Sequence, residues 1–154
     1  MKQRSFVFVL ALALAAVSFS AGLVVANGKG LLRLDLPGRS DDRPFKHAIV
    51  AGDAIYLAGT LGIDPETSKI PEDPMKEARL MMDSFKAKVE LAGATMSDLV
   101  SVQVFCSDIS LYGKFNELYG SYFEKGQYPV RAFVGSGELL AGARFEINGI
   151  AYRQ

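Results

Sequence analysis

The residue most able to do chemistry in this chain is Arg131, in the stretch GQYPVRAFVG at residues 126–135. It follows a proline and enters an apolar run. Such a cation has two readings. It blunts the edge of a strand as a solubility device, or its rigid guanidinium fork clasps an anionic group with paired hydrogen bonds. Few other residues compete for a chemical role. The chain has one histidine, His47, and one cysteine, Cys106. A serine hydrolase triad would have to use His47, and nothing resembling a nucleophile elbow accompanies it. His47 stands at a strand start beside Lys46, where a rim or interface role competes with that of a base. One cysteine forms no intramolecular disulfide, and no Cys/His cluster has metal-ligand spacing, so no metal is expected. Cys106 reads as a small core residue.

The elements that must hold these residues fit one domain. The chain has 154 residues, 49% of them hydrophobic and 22% charged, which places it among globular rather than disordered sequences. Basic and acidic residues number 17 each. Without a basic block, nucleic acid is not an expected partner.

The N-terminus reads differently from the rest. Lys2 and Arg4 precede an uncharged apolar run from Phe6 to Ala26. This is the pattern of a secretory signal over residues 1–26, with small residues offering cleavage after Ser20 or Ala26. The alternative is an uncleaved membrane anchor, since about 20 apolar residues span a bilayer. Removal of residues 1–26 takes away two basic residues and no acidic ones, for a net charge of −2. A periplasmic or secreted location follows.

Residues 27–44 read as a linker or edge strand. Two β-rich runs then flank Gly52-Asp53, a two-residue hairpin signal, and a loop with three prolines follows. Asp73 can cap a helix that Pro74 begins. Ala78, Met81, Met82, Phe85, Val89 and Ala92 form its buried stripe, and Gly93 closes it in the left-handed conformation. In LVSVQVFCSD the alternation sets Val100, Val102, Val104 and Cys106 on one face, with Ser101, Gln103 and Phe105 on the other. Asp108 or Ser110 can cap a second helix, striped by Leu111, Phe115, Leu118, Tyr119 and Tyr122 and weakened by Gly113 and Gly120. YPVRAFVG and ARFEINGIAY are two further strands. Two singly striped helices suit one face of one sheet, and the other face must be covered as well, which points to self-association.

The segments RPFKHAIVAGDAIYLAGTLGIDPETSKIP, VFCSDISLYGKFNELYGSYF, YPVRAFV and FEINGIA resemble, in order and spacing, the Rid (reactive intermediate deaminase, YjgF) family, from about Arg43 to Tyr152. The resemblance implies a Rid-like domain over residues 45–154. It implies an α+β, chorismate-mutase-like single mixed sheet with two helices on one face, and a homotrimer with ligand clefts between subunits. It also implies hydrolysis of enamines and imines such as 2-aminoacrylate and 2-iminopropanoate to a 2-oxo acid and ammonia, without metal or organic cofactor. The family's key arginine falls on Arg131 and its last-strand glutamate on Glu146, the two implied catalytic residues. Its helix asparagine falls on Asn116, and the glycine whose backbone lines the cleft falls on Gly59.

That chemistry suits the residue types. Arginine would hold the carboxylate of an imino acid, and a carboxylate such as Glu146 could orient a water and take its proton. The bland alternatives are a solvated strand face for Glu146 and a loop or interface tie for Asn116.

The chain departs from the family pattern around the implied pocket. Phe45 stands where archetypal members have tyrosine, Ala58 replaces a serine, and Thr60 replaces a glutamine. Phe133 replaces a small polar or thiol residue, and Asn148 replaces a second glutamate. Two hydroxyl donors are gone and a phenyl ring is added. These substitutions also suit a non-catalytic, trimeric carboxylate-binding protein.

Overall fold

The computed structural model describes residues 30–39 and 42–153. The expected signal over residues 1–26 lies outside them. Among the described residues no helix is long and apolar enough to cross a membrane.

Six strands form one mixed sheet: β1 (Leu32–Leu34), β2 (Ala48–Ala51), β3 (Ala54–Leu61), β4 (Leu99–Cys106), β5 (Val130–Gly135) and β6 (Phe145–Tyr152). Their spatial order is β1-β2-β3-β6-β4-β5. All neighbours are antiparallel except β4 and β5. A parallel pair needs a crossover, and helix α2 (Tyr112–Gly120) supplies it. Helix α1 (Pro74–Leu91) bridges β3 and β4 in sequence and lies on β3, β6 and α2.

The local signals act as expected. The Asp73 carboxylate accepts from Met75 N at 2.8 Å, and Gly93 takes φ +77° beyond the end of α1. Ala78, Met81, Met82, Phe85 and Val89 are fully buried. They pack with Ile55, Val102, Val104, Cys106, Phe145 and Ile147 from the sheet. The β2–β3 hairpin pairs Ala51 with Ala54 around Gly52, whose φ of +63° is one that glycine adopts without steric cost. The segment read as linker or edge strand contributes β1 at the sheet edge. Of the two candidate caps, the structure uses Asp108. Its carboxylate accepts from Ser110 N at 3.0 Å and starts a short 3-10 turn that runs into α2.

One expectation fails. Val100 does not share the buried face with Val102 and Val104; it is 48% exposed. The β4–β6 register shifts between Leu99 and Ser101, and this irregularity gives the inward place to Leu99. One extra residue reverses every side chain on its far side.

A buried carboxylate joins the start of α1 to the start of β6. Glu77 is fully buried. Its Oε1 accepts from Arg144 N at 2.6 Å and Phe145 N at 3.0 Å, and its Oε2 accepts from Arg144 Nε at 2.6 Å. Arg144 also donates to Pro71 O. Removal of Glu77 strands two backbone N–H groups and the Arg144 Nε–H without their acceptor. Glu77→Ala is therefore expected to cost about 3–5 kcal/mol in urea unfolding; a loss below about 1 kcal/mol would contradict this account.

Candidate functional site

Strand register assigns the chemical residues to faces. Arg131 pairs with Val102 and Phe133 with Val104. Those valines are buried under the helices, so Arg131 and Phe133 also face the helix side. Here Arg131 meets α2. Its Nη2 donates to Asn116 Oδ1 at 2.6 Å. The guanidinium carbon lies 4.5 Å from the centre of the Tyr119 ring, with Phe133 at 5.8 Å and Tyr112 at 6.0 Å. A cation over aromatic faces is attracted by their electron-rich surfaces. Phe133 is itself wedged between Tyr112, edge-on at 4.9 Å, and Phe115, tilted at 5.3 Å. Arg131 is thus half-buried, tied by one hydrogen bond and bordered by aromatic rings.

Two members of this cluster, Tyr112 and Tyr119, were not singled out as site residues by sequence. Tyr119 carried only its place in the apolar stripe, and Tyr112 precedes Asn116 by one helical turn. A hydrogen bond with Asn116, and next the charge of Arg131, lower the pKa of the Tyr112 phenol. Burial raises the pKa of Tyr119 to about 12.

Glu146 belongs to the opposite face. It alternates with Phe145 and Ile147, which are buried beneath the helices. Within one chain the structure therefore does not bring Glu146 to Arg131. It brings Glu146 to Gly59, where a Cβ would overlap Glu146 Oε1. A hydrogen at position 59 is what lets the carboxylate lie on the strand. Gly59 sits in an irregularity of β3, because the β3–β6 register shifts between Leu57 and Thr60. Ala58, in the same segment, donates its N–H to His47 O at 3.1 Å.

Lys88 lies beneath this bulge, on the helix side, and escaped the sequence reading because it falls within the apolar stripe of α1. Its Nζ donates to Thr60 Oγ1 at 2.7 Å and to Gly59 O at 3.2 Å.

Phe45 stands near the start of β2, 43% exposed. The guanidinium carbons of Arg39 and Arg43 lie 4.8 Å and 5.5 Å from its ring centre, and His47 meets it edge-on at 6.4 Å. His47 Nδ1 accepts from Leu36 N at 3.0 Å. That nitrogen therefore serves a backbone tie, which uses the neutral ring. Burial first, and next the charge of Lys88, lower its pKa. Cys106 is buried in the core, where burial raises its thiol pKa. Among the described residues no cluster of three or more His, Cys, Asp or Glu could hold a metal ion.

A six-stranded mixed sheet with two helices on one face, an anchored arginine at one end and a carboxylate on a glycine bulge defines a small α+β domain with two candidate sites. Residues 40–153 match the family model described as Endoribonuclease L-PSP, and the chain belongs to this family, the Rid family that the sequence resembles. A RutC family protein of Pyrococcus abyssi is 36% identical over 112 residues, which cover 72% of this chain and 87% of the relative. A 2-iminobutanoate/2-iminopropanoate deaminase of Dermatophagoides farinae is 33% identical over 108 residues, covering 70% and 84%. The structure of Escherichia coli TdcF with bound serine is similar with a TM-score of 0.69 and 29% identity, covering 79% of this chain and 94% of that one.

The Gly59 geometry makes a direct prediction. In Gly59→Ala the flexible Glu146 carboxylate must leave its place, while stability changes by less than about 1 kcal/mol. A crystal structure of the variant with Glu146 still lying over residue 59 would refute the packing described.

Proposed function

We propose that this chain hydrolyses reactive imines and enamines of the 2-aminoacrylate and 2-iminopropanoate type to a 2-oxo acid and ammonia. The observation that carries the reading is the anchored guanidinium of Arg131, set by Asn116 and seated on Tyr119. The name of the Dermatophagoides farinae relative supports the same chemistry. In this reading Arg131 grips the substrate carboxylate through two parallel N–H···O bonds. Glu146 orients a water and takes one of its protons as oxygen adds to the C=N carbon. That proton passes to the nitrogen to give a carbinolamine. The hydroxyl proton then also reaches the nitrogen as the C–N bond breaks, ammonia leaves and the C=O bond of the oxo acid forms. An enamine first tautomerises to the imine by protonation at carbon. Positioning supplies much of the rate, because the imine is already electrophilic. No metal or organic cofactor is part of this scheme.

Arg131 and Glu146 face opposite sides of the sheet, so the proposal requires a cleft shared between copies. Arg131, Asn116 and Phe133 come from one subunit; Glu146, Gly59, Ala58 and Phe45 come from its neighbour. A homotrimer is the proposed assembly. Its support is the helix-free face, where Tyr56, Val130 and Tyr152 are exposed, Val130 by 71%. Apolar surface of that kind marks an interaction site.

The same reading has residues 1–26 removed on export and the enzyme working in the periplasm or outside the cell. An extracytoplasmic amino-acid oxidase would supply its imines there. RNA is not a proposed substrate, because a chain with a net charge of −2 is poorly suited to a polyanion. A second reading, a trimeric carboxylate-binding protein without turnover, draws support from Phe133. Its ring stands 5.8 Å from the guanidinium carbon.

Two experiments test the proposal. With imines generated by an amino-acid oxidase and competing semicarbazide, the purified chain should speed 2-oxo acid formation. Arg131→Ala should lower kcat/KM by about 1.5–3 kcal/mol, roughly 10- to 150-fold. Absence of acceleration together with retained oxo-acid binding would establish the second reading instead. Secondly, Arg131→Ala and Glu146→Gln, each impaired alone, should regain activity when unfolded and refolded together, since some clefts then hold both intact residues. Failure of the mixture to recover activity, in assemblies of three chains by light scattering, would refute the shared cleft.

A further inference from the structure

Lys88 is only 4% exposed. Among the described residues no carboxylate lies within ion-pairing distance of its amine; its partners are the neutral oxygens of Thr60 and Gly59. A buried ammonium without a paired carboxylate is costly, and this place in the apolar stripe of α1 would accept a methionine. The position of the charge is informative. Thr60 pairs with Ile147 and faces the helices, so Lys88 reaches the bulge from within. Glu146 lies on the outer side of the same bulge, over Gly59. One residue of backbone separates an inner cation from an outer anion.

We propose that Lys88 is a positioning residue: its charged amine draws the Gly59 carbonyl inward and holds the Glu146 carboxylate against the bulge. The arrangement makes the cleft sensitive to the protonation of Lys88. Desolvation lowers the pKa of the amine to about 8, while Glu146 opposes that shift and Arg39 and Arg43 add to it. His47 also feels the Lys88 charge. Above that range the amine can still donate to Thr60 but no longer attracts the carboxylate. The inference rests on the proposed reaction only for its kinetic consequence; the charge coupling itself is independent of turnover.

The test reads the coupling from the lysine, because coupling between two sites is reciprocal. In protein labelled with 13C-lysine, the Lys88 Cε resonance is assigned by its absence from Lys88→Met. Its titration midpoint should lie near pH 8 in the wild type. Glu146→Gln should move the midpoint to lower pH, because the opposite charge that favoured the ammonium is gone. In kcat/KM the wild type should show an alkaline limb that follows this titration. Lys88→Met should be several-fold slower, without that limb, and with an equal or higher Tm, since an apolar replacement removes the desolvation cost. A Lys88 titration unmoved by Glu146→Gln, or a wild-type pH profile in Lys88→Met, would overturn the proposal. If the wild type hydrolyses no imine, the proposed reaction fails, and the lysine titration alone decides for or against Lys88.

Discussion

The fold depends on one buried carboxylate. Glu77 receives two backbone N–H groups and a guanidinium N–H from residues 144 and 145, far away in sequence. An unpaired carboxylate in that interior would cost several kcal/mol, so its partners leave little freedom in how α1 meets β6. Both proposed working groups of the Gly59 bulge are set by this junction. α1 carries Lys88 to the inner side of β3, and β6 begins one residue before Glu146. The helix capped at Asp73 and the strand entered at Phe145 are thus indexed to each other by charge and hydrogen bonding as well as by apolar packing.

The sheet divides the chemistry. Arg131, with Asn116 and its aromatic neighbours, lies on the helix side at the β5 end. Glu146, with Gly59, lies on the open side between β3 and β4. A single chain carries the two proposed half-sites, of opposite charge, on opposite faces. This division gives the proposed assembly a chemical purpose beyond covering apolar surface, because neighbouring copies would bring the halves together.

The departures from the family pattern fall in both halves. Phe133 exchanges a small residue for a ring that packs against Tyr112 and Phe115 and walls the arginine. Phe45 and Ala58 remove hydroxyl donors from the segment around the bulge. Arg131 keeps its hydrogen bond to Asn116 beside these residues, whereas the surroundings become more apolar. In the proposed reaction such a cleft suits imino acids with larger apolar side chains.

The sequence by itself determined the elements and most of the core. The stripe from Ala78 to Ala92, the Gly52 turn, the Asp73 and Gly93 ends of α1 and the strands around Arg131 and Glu146 all follow from local rules of period, capping and backbone sterics. The ordered segments also carried the family and with it the sheet. Tertiary structure alone decided the rest. Alternation along a strand states which residues share a side, not where a bulge reverses it, so Val100 emerged exposed and Gly59 met Glu146. Helical period marks a buried face but does not mark a charge within it, so Glu77 and Lys88 were hidden in the sequence; their partners lie 67 and 28 residues away. Register, unlike period, is a relation between distant segments, and only the packed chain specifies it.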